Sequence, residues 1–323
     1  MKPRSLALAA AGAPMSPGCE ALFIVNPAAG HGRGRARWER GRELAESLWP
    51  GLQVAMTQRP GHGRELARAA ALGGTELVVA VGGDGTLGEV VDGYLAAPET
   101  SRRRAVVATF PAGSGCDFAR HVGVPRDPQA WAAAMAAGTR TRLDAALATF
   151  RAPDGAPRAR HFLNVAALGL AGDVAAGVER RGKFLGGTLT YLLEGLLSIA
   201  SARPKRMRLV VDGVAEPAAE YHLVAAANTS TIGGGMKLAP GADERDGLLE
   251  VLTVGALSKG ELLRLMPAIY AGGHVGAPGV VLRRARRLEI HSDEVLPLNI
   301  DGDLDGRAPA VFEVQPKALP FLL

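Results

Sequence analysis

Several aspartates in this chain stand in or beside glycine turns. Asp84 sits inside "VGGDGTLG", Asp117 follows "PAGSGC", Asp243 and Asp246 lie in "APGADERDGLLEV", and Asp301 and Asp303 in "NIDGDLDG". Glycines let a backbone approach a bulky group or adopt positive φ. A strand, a glycine loop and a helix N-terminus together aim amide N–H groups at an anion. A carboxylate in such a cradle repels phosphate unless a metal or a proton donor stands beside it. Phosphoryl transfer from ATP needs a phosphate cradle, magnesium and a group that takes the acceptor's proton. Magnesium prefers carboxylates and water, so glycine cradles with isolated Asp-Gly elements can meet all three needs. Each Asp-Gly alone is an ordinary turn signal; only the combination points to this chemistry.

Other phosphate devices do not occur in the sequence. There is no G-x-x-x-x-G-K-[ST], and "GHGRGR" from Gly30 carries Arg35 where G-x-G-x-x-G requires glycine. No H-R-D…N loop and no Cys/His cluster with zinc spacing is found.

The elements that must position these turns repeat in the first half. "ALFIVNPAAGHGRG" reads as a strand over Ala21 to Val25, a glycine turn and a helix from near Arg35. "LQVAMT" is a second strand, with a helix closed by Gly73 behind it. "ELVVAVGGDGTLGEVVDGYL" is a strand from Leu77 to Val81 and a helix with Thr86 as N-cap and Leu87, Val90, Val91 and Leu95 on one face. "RAVVATFPAGSGCDFARHVG" is the fourth unit. Alternating β and α elements imply a parallel sheet with helices on both faces, its ligands beyond the carboxyl ends of the strands. From about Thr141 strand-like runs come close together ("HFLNVAALG", "RMRLVVDG", "EYHLVAAAN", "LLEVLTVG", "VVLRRARRLEIHS", "LPLNIDGD"), separated by Asp-Gly turns at 154, 212, 246 and 301. "RAPDGAPRAR" is a hairpin loop, and "GGTLTYLLEGLLSIASA" and "SKGELLRLMPAIYAGGHV" are helices. The expectation is an α/β domain over 19–140 after a lead-in over 1–18, and a mostly antiparallel β-sandwich over 141–323 whose last segment packs back on the first domain.

Composition agrees with a globular chain of this size. Of 323 residues 47% are apolar and 21% charged, and the net charge of +5 suits an anionic partner without naming one. Cys19 and Cys116 are too far apart in sequence and context to make a disulfide framework. "MKPRSLALAAAGAPMSPGC" reads as a disordered lead-in, its apolar part being short for an export signal. No run approaches 18 uninterrupted apolar residues.

With these stretches quoted, a likeness stands out. "IVNPAAGHGRG", "VVAVGGDGTLGEVVDG", "PAGSGCDFAR", "LAPGADERDGLLEV" and "NIDGD" resemble, in order and spacing, the diacylglycerol kinase catalytic-domain family, with its bacterial, sphingosine and ceramide kinase branches. The resemblance runs from about Ala21 to Phe312. It implies a nucleotide-binding α/β domain followed by a β-sandwich, with the active site between them, and ATP and magnesium as cofactors. It implies that Gly82, Gly83, Asp84, Gly85, Thr86, Leu87 and Gly88 form the nucleotide loop, helped by Asn26, Thr57, Gly113 and Ser114. Glu89 and Asp117 would line the nucleotide cleft. Asp301 matches the general base, and Asp243, Asp246 and the carbonyl of Leu248 a structural magnesium site. Within this frame Asp84 would bind ribose or magnesium while the glycines offer N–H groups to phosphate. The chain departs from the family pattern at Cys116 and Gly88, where Asn is usual, at Asp303, where Glu is usual, and at His31 or Arg33, where Lys is common.

The resemblance implies phosphorylation of a lipid hydroxyl such as diacylglycerol, by a cytoplasmic enzyme that touches a membrane surface transiently. A homodimer is compatible with it, and nucleic acid is not a partner. A kinase of a soluble acceptor such as NAD, and a non-catalytic nucleotide-binding module, are the alternatives. Leu189, Leu192, Leu193, Leu196, Leu197 and Ile199, followed by Arg203, Lys205, Arg206 and Arg208, suit either an anionic interface or a core helix running into a strand. Arg283, Arg284, Arg286 and Arg287 read as a solvated strand edge.

Overall fold

A computed structural model describes residues 19–181 and 187–323, apart from the side chains of 178–192. The 1–18 lead-in and the side chains of Leu189 and Leu192 therefore lie outside the described residues. The first part runs β1 (Ala21–Val25), a single turn α1 (Ala29–Gly32), α2 (Gly34–Leu48), β2 (Gln53–Met56) and α3 (His62–Gly73). It continues with β3 (Leu77–Gly82), α4 (Asp84–Leu95), β4 (Val106–Pro111), α5 (Asp117–Val122) and α6 (Pro128–Ala137). β1 pairs in parallel with β2 and with β3, and β3 in parallel with β4. Every residue of β3 and β4 is buried, which is why both read as unbroken apolar runs. Phe23, Trp38, Trp49, Phe110 and Trp131 form one aromatic cluster beneath this sheet, with ring centroids 5.0–6.5 Å apart.

Two expected boundaries are corrected here. The N-cap of α4 is Gly83, not Thr86, which lies inside the first turn and is buried. α3 is closed by Gly74, at φ +84°, and not by Gly73.

The second part is β5 (Arg140–Arg151), β6 (Pro157–Phe162), β7 (Val165–Gly169), α7 (Leu170–Arg181), α8 (Gly187–Ser201), β8 (Lys205–Val211) and β9 (Val214–Ala215). Then follow β10 (Ala219–Ala227), β11 (Leu249–Gly255), α9 (Lys259–Ala271), β12 (Val280–Ala285), β13 (Arg287–His291), β14 (Pro297–Ile300) and β15 (Asp303–Leu322). These strands pair antiparallel with one another, and β5 and β6 form the hairpin expected around "RAPDGAPRAR". On β7 and β10 alternate residues enter different cores. Ala166, Leu168, Val224 and Ala226 join a core between strands. Val165, Ala167, Ala225 and Ala227 join one that contains Ile199 of α8 and Leu262 of α9. Both faces are thus covered, and the backbone hydrogen bonds run unbroken from β12 through β14 and β15 to β4. The last strand closes the molecule: Phe321 pairs in parallel with Val107 of β4 and stacks edge-on against Phe118 of α5 at 5.6 Å.

Candidate active site

Four glycine turns meet at the carboxyl ends of β1 to β4. Asn26, at the end of β1, donates from Nδ2 to Thr86 Oγ1 at 3.0 Å, and a β-carbon on Gly82 would lie 2.3 Å from that hydroxyl oxygen. The backbones of the third and fourth turns also touch directly, since a β-carbon on Gly113 would lie 2.3 Å from Gly83 Cα. Thr57 follows β2 directly, its N–H donating to Val25 O. Ser114 Oγ and His31 Nδ1, 3.1 Å apart, join the fourth turn to the first. These contacts link Asn26 with Thr86 and Gly82, Gly83 with Gly113, and Ser114 with the first turn, while Thr57 stands at the end of the neighbouring strand.

The acidic residues of these turns hold backbone in place. Asp84 accepts from Asp117 N and Phe118 N, both at 3.0 Å, and so caps α5 from the start of α4. Burial raises its carboxyl above the ordinary value, opposed by those two N–H groups. Glu89 accepts from Gly61 N and Gly63 N at 2.8 and 2.9 Å, holding the start of α3. Asp117 accepts from Gly234 N at 2.6 Å and pairs with Arg120, tying α5 to the 230–236 loop of the second part. Asp84 thus faces two amides of the next turn. The N–H groups at the start of α4 have no intrahelical acceptors.

Asp301 arrives from the other side. It sits at φ +51°, between β14 and β15. Its Oδ1 accepts from Asn164 N and Val165 N at 2.9 and 3.0 Å, and its Oδ2 from Leu163 N at 3.0 Å. Burial pushes this carboxyl up, the three amides and the Arg160 charge pulling the other way. A carboxylate offers about four lone-pair sites, so Oδ2 keeps one. A β-carbon on Gly88 of α4 would lie 3.7 Å from that same Oδ2 and from Arg160 Nη2.

Arg160 was not singled out in the sequence. It is 13% exposed and bridges Asp303 Oδ2, at 3.1 Å, and Asp305. Burial, with the charges of Asp303 and Asp301, pushes Asp305 up to about 6 against the pull of Arg160. The neighbouring His161 meets Asp92 of α4 through both its N–H and Nδ1, at 2.9 and 3.0 Å, and Asp92 also binds Arg64. A sequence signal existed for Asp305, because Asp303 and Asp305 are two apart on one strand and share a face.

The Asp243–Leu248 loop belongs to the second part and reaches α5 through Glu244, whose Oε2 lies 2.7 Å from His121 Nε2. Asp243 accepts from Arg245 N at 3.1 Å and Asp246 from Leu248 N at 3.0 Å. Asp144 of β5, fully buried, accepts from Gly247 N and Lys317 N, both at 2.7 Å. Its carboxyl is raised by burial and by the charges of Asp246 and Asp243. Among the described residues no three His, Cys, Asp or Glu side chains are grouped to hold a metal ion. The donor chemistry, all carboxylate and carbonyl oxygen, nonetheless fits magnesium.

Comparison with known proteins agrees with this architecture. Residues 20–148 match the diacylglycerol kinase catalytic domain, and residues 164–323 the YegS C-terminal NAD kinase beta sandwich-like domain. A diacylglycerol kinase of Mycobacterium tuberculosis (strain ATCC 25618 / H37Rv) is 32% identical over 262 residues, 80% of each chain. One from Bacillus subtilis (strain 168) is 28% identical over 293 residues, 90% of this chain and 92% of that one. The crystal structure of a diacylglycerol kinase from Bacillus anthracis str. Sterne shares the fold, with a TM-score of 0.70 at 20% identity over 95% of this chain and 98% of that one. Fold and sequence define a kinase. The chain belongs to the diacylglycerol kinase family.

Proposed function

We propose that this enzyme moves the γ-phosphoryl group of ATP to the hydroxyl of diacylglycerol or a related long-chain lipid alcohol, in the cleft between the α4 turn and Asp301. The observation that carries the reading is the approach of Asp301 Oδ2 to Gly88, which puts a carboxylate with a spare lone pair beside the glycine-lined start of α4. In this reading the N–H groups of the Gly82–Gly88 segment hold phosphate oxygens, with Asn26, Thr57, Gly113 and Ser114 around them and Glu89 and Asp117 bracing the cleft. Asp301 takes the hydroxyl proton as the new O–P bond forms and the bond from the γ-phosphorus to the β,γ-bridging oxygen breaks. Its raised pKa suits a base. Asp243, Asp246 and the Leu248 carbonyl would hold magnesium, which would supply positive charge to order the loop. Two domains, 19–140 and 141–323, face each other across this cleft.

A lipid acceptor is supported by the surface of α8. Leu193, Leu196 and Leu197 are 41%, 40% and 43% exposed while Ile199 is buried, and Arg203, Lys205 and Arg206 follow. That pattern suits transient contact with an anionic bilayer from the cytoplasm. No helix among the described residues is long and apolar enough to cross a membrane. Purified protein with labelled ATP, magnesium and mixed lipid vesicles, beside NAD as a soluble acceptor, tests the proposal. Label is expected in one chloroform-soluble product. Label found only in a water-soluble product, or nucleotide binding without transfer, would overturn it.

A further inference from the structure

A second basic site lies behind the fourth glycine turn. Arg37 and Arg40 of α2 and Arg126 of the α5–α6 loop line one cavity of about 660 Å³, together with Phe110, Asp127 and Gln129. Its size falls within the roughly 300–1,000 Å³ of ordinary ligand pockets. Arg37 Nη1 donates to Ala112 O and Gly113 O, both at 2.7 Å. Arg126 donates to Gly113 O at 2.6 Å and Ser114 O at 3.2 Å. Each guanidinium carries about five donors, so most remain for a ligand. Among the described residues none of the three arginines makes an ion pair with a carboxylate. The one carboxylate in the wall, Asp127, accepts from Ala130 N as the α6 cap. Three guanidiniums thus face one carboxylate across an open cavity, and mutual repulsion with Arg126, Arg40 and Arg33 adds to burial in lowering the Arg37 pKa.

We propose that this cavity binds a phosphate-bearing anion at a site separate from the nucleotide turn. Guanidinium planes in fork geometry recognise phosphate oxygens in pairs. The cavity walls include no residue of the third turn and neither Asp301 nor its clasp, so occupancy leaves the proposed nucleotide cleft free. Arg37 and Arg126 also hold the carbonyls of Ala112 to Ser114, so an anion that draws on them shifts the same turn that touches Gly83. Anion and nucleotide therefore change each other's affinity by one common factor.

Arg40 is the residue to change, because no bond joins it to the turn. Inorganic tripolyphosphate is titrated calorimetrically into the full chain, without magnesium and with saturating ATP present. Binding that persists beside ATP and weakens at least tenfold in Arg40→Glu, whose own ATP affinity stays at the wild-type value, supports the site. Sedimentation with phosphatidylcholine vesicles containing phosphatidic acid, lost in the same variant, identifies the anion as a lipid headgroup. Arg40-dependent tripolyphosphate binding without such sedimentation identifies a soluble phosphate. Tripolyphosphate displaced completely by ATP, or bound equally by Arg40→Glu, overturns the proposal. None of these outcomes depends on which acceptor the enzyme phosphorylates.

Discussion

Replacing Asp301 by Asn separates two jobs that one carboxylate does here. The wild-type oxygens accept three amides, two on Oδ1 and one on Oδ2. An asparagine whose amide oxygen takes the Oδ1 place keeps Asn164 N and Val165 N but sets its NH2 against Leu163 N. One hydrogen bond to a charged group is lost and one buried donor is left facing another, at a cost of about 2 kcal/mol. Asn tolerates the φ of +51° at this position, so backbone strain adds little. For a chain of this size that cost lowers Tm by roughly 3 °C. The variant also loses the Oδ2 lone pair that is proposed to take the proton, for which a turnover loss of ~10²–10⁴-fold is expected. Calorimetry gives the first quantity, and transfer of labelled phosphate well below the variant's midpoint gives the second. An unchanged Tm would refute the amide clasp. A lowered Tm with turnover within about twofold of wild type would show that Asp301 is a clasp and no base.

Three other predictions rest on separate contacts. Gly88→Ala should stabilise the protein by about 0.5–1 kcal/mol, because it removes a glycine from α4 and its methyl group would stand at ordinary contact, 3.7 Å, from its nearest neighbours; a lower Tm would contradict the spacing read at Asp301. Cys19 and Cys116 are buried, and burial pushes the Cys116 thiol up to about 11, so neither thiol should react with Ellman's reagent until denaturant is added, and rapid reaction in native buffer would refute that. For Glu244, burial raises the carboxyl, but the hydrogen bond to His121 at 2.7 Å, a backbone hydrogen bond and the charges of His121 and Arg245 together outweigh it, and the net shift is downward from 4.5. Its contribution is therefore full above that value and is lost as pH falls through the folded-state pKa. Glu244→Gln should be less stable than wild type by about 1 kcal/mol near neutral pH, with the gap closing in acid; a gap that widened there would invert the argument.

The glycine turns were legible in the sequence because they need local backbone freedom, and local signals encode it. The four strand–turn–helix units from β1 to α5 followed directly from apolar runs and glycines. α6 was missed because its alanine-rich stretch has no apolar stripe, although Asp127 and Pro128 mark its start. "HFLNVAALG" reads as one strand, yet β6 ends at Phe162 and β7 begins at Val165. The amides between them are claimed by Asp301, 136 to 138 residues away, and no periodicity encodes a partner that distant. β15 was hidden by Pro309, Pro316 and Pro320 and by Lys317 at φ +54°, signals that elsewhere end strands. The same holds at the site. Residue types identified Asp84 and Asp301 as important, but which atoms they hold, and the presence of Arg160 beside Asp301, depend on contacts made only in the folded chain.

The return of β15 to β4 sets an order of assembly. Leu319, Phe321 and Leu322 belong to the first part's core, alongside Phe23, Val79 and Phe118. On a ribosome, the residues that seal that core are made after all the strands they must thread past. The early part can collapse around its parallel strands, but β4 waits for its Phe321 neighbour until synthesis of the second part is complete. Contacts of such sequence separation form slowly and leave an apolar edge open in the interval. A cut that removes Leu319 to Leu322 would therefore unseat the first part while leaving its own sequence untouched.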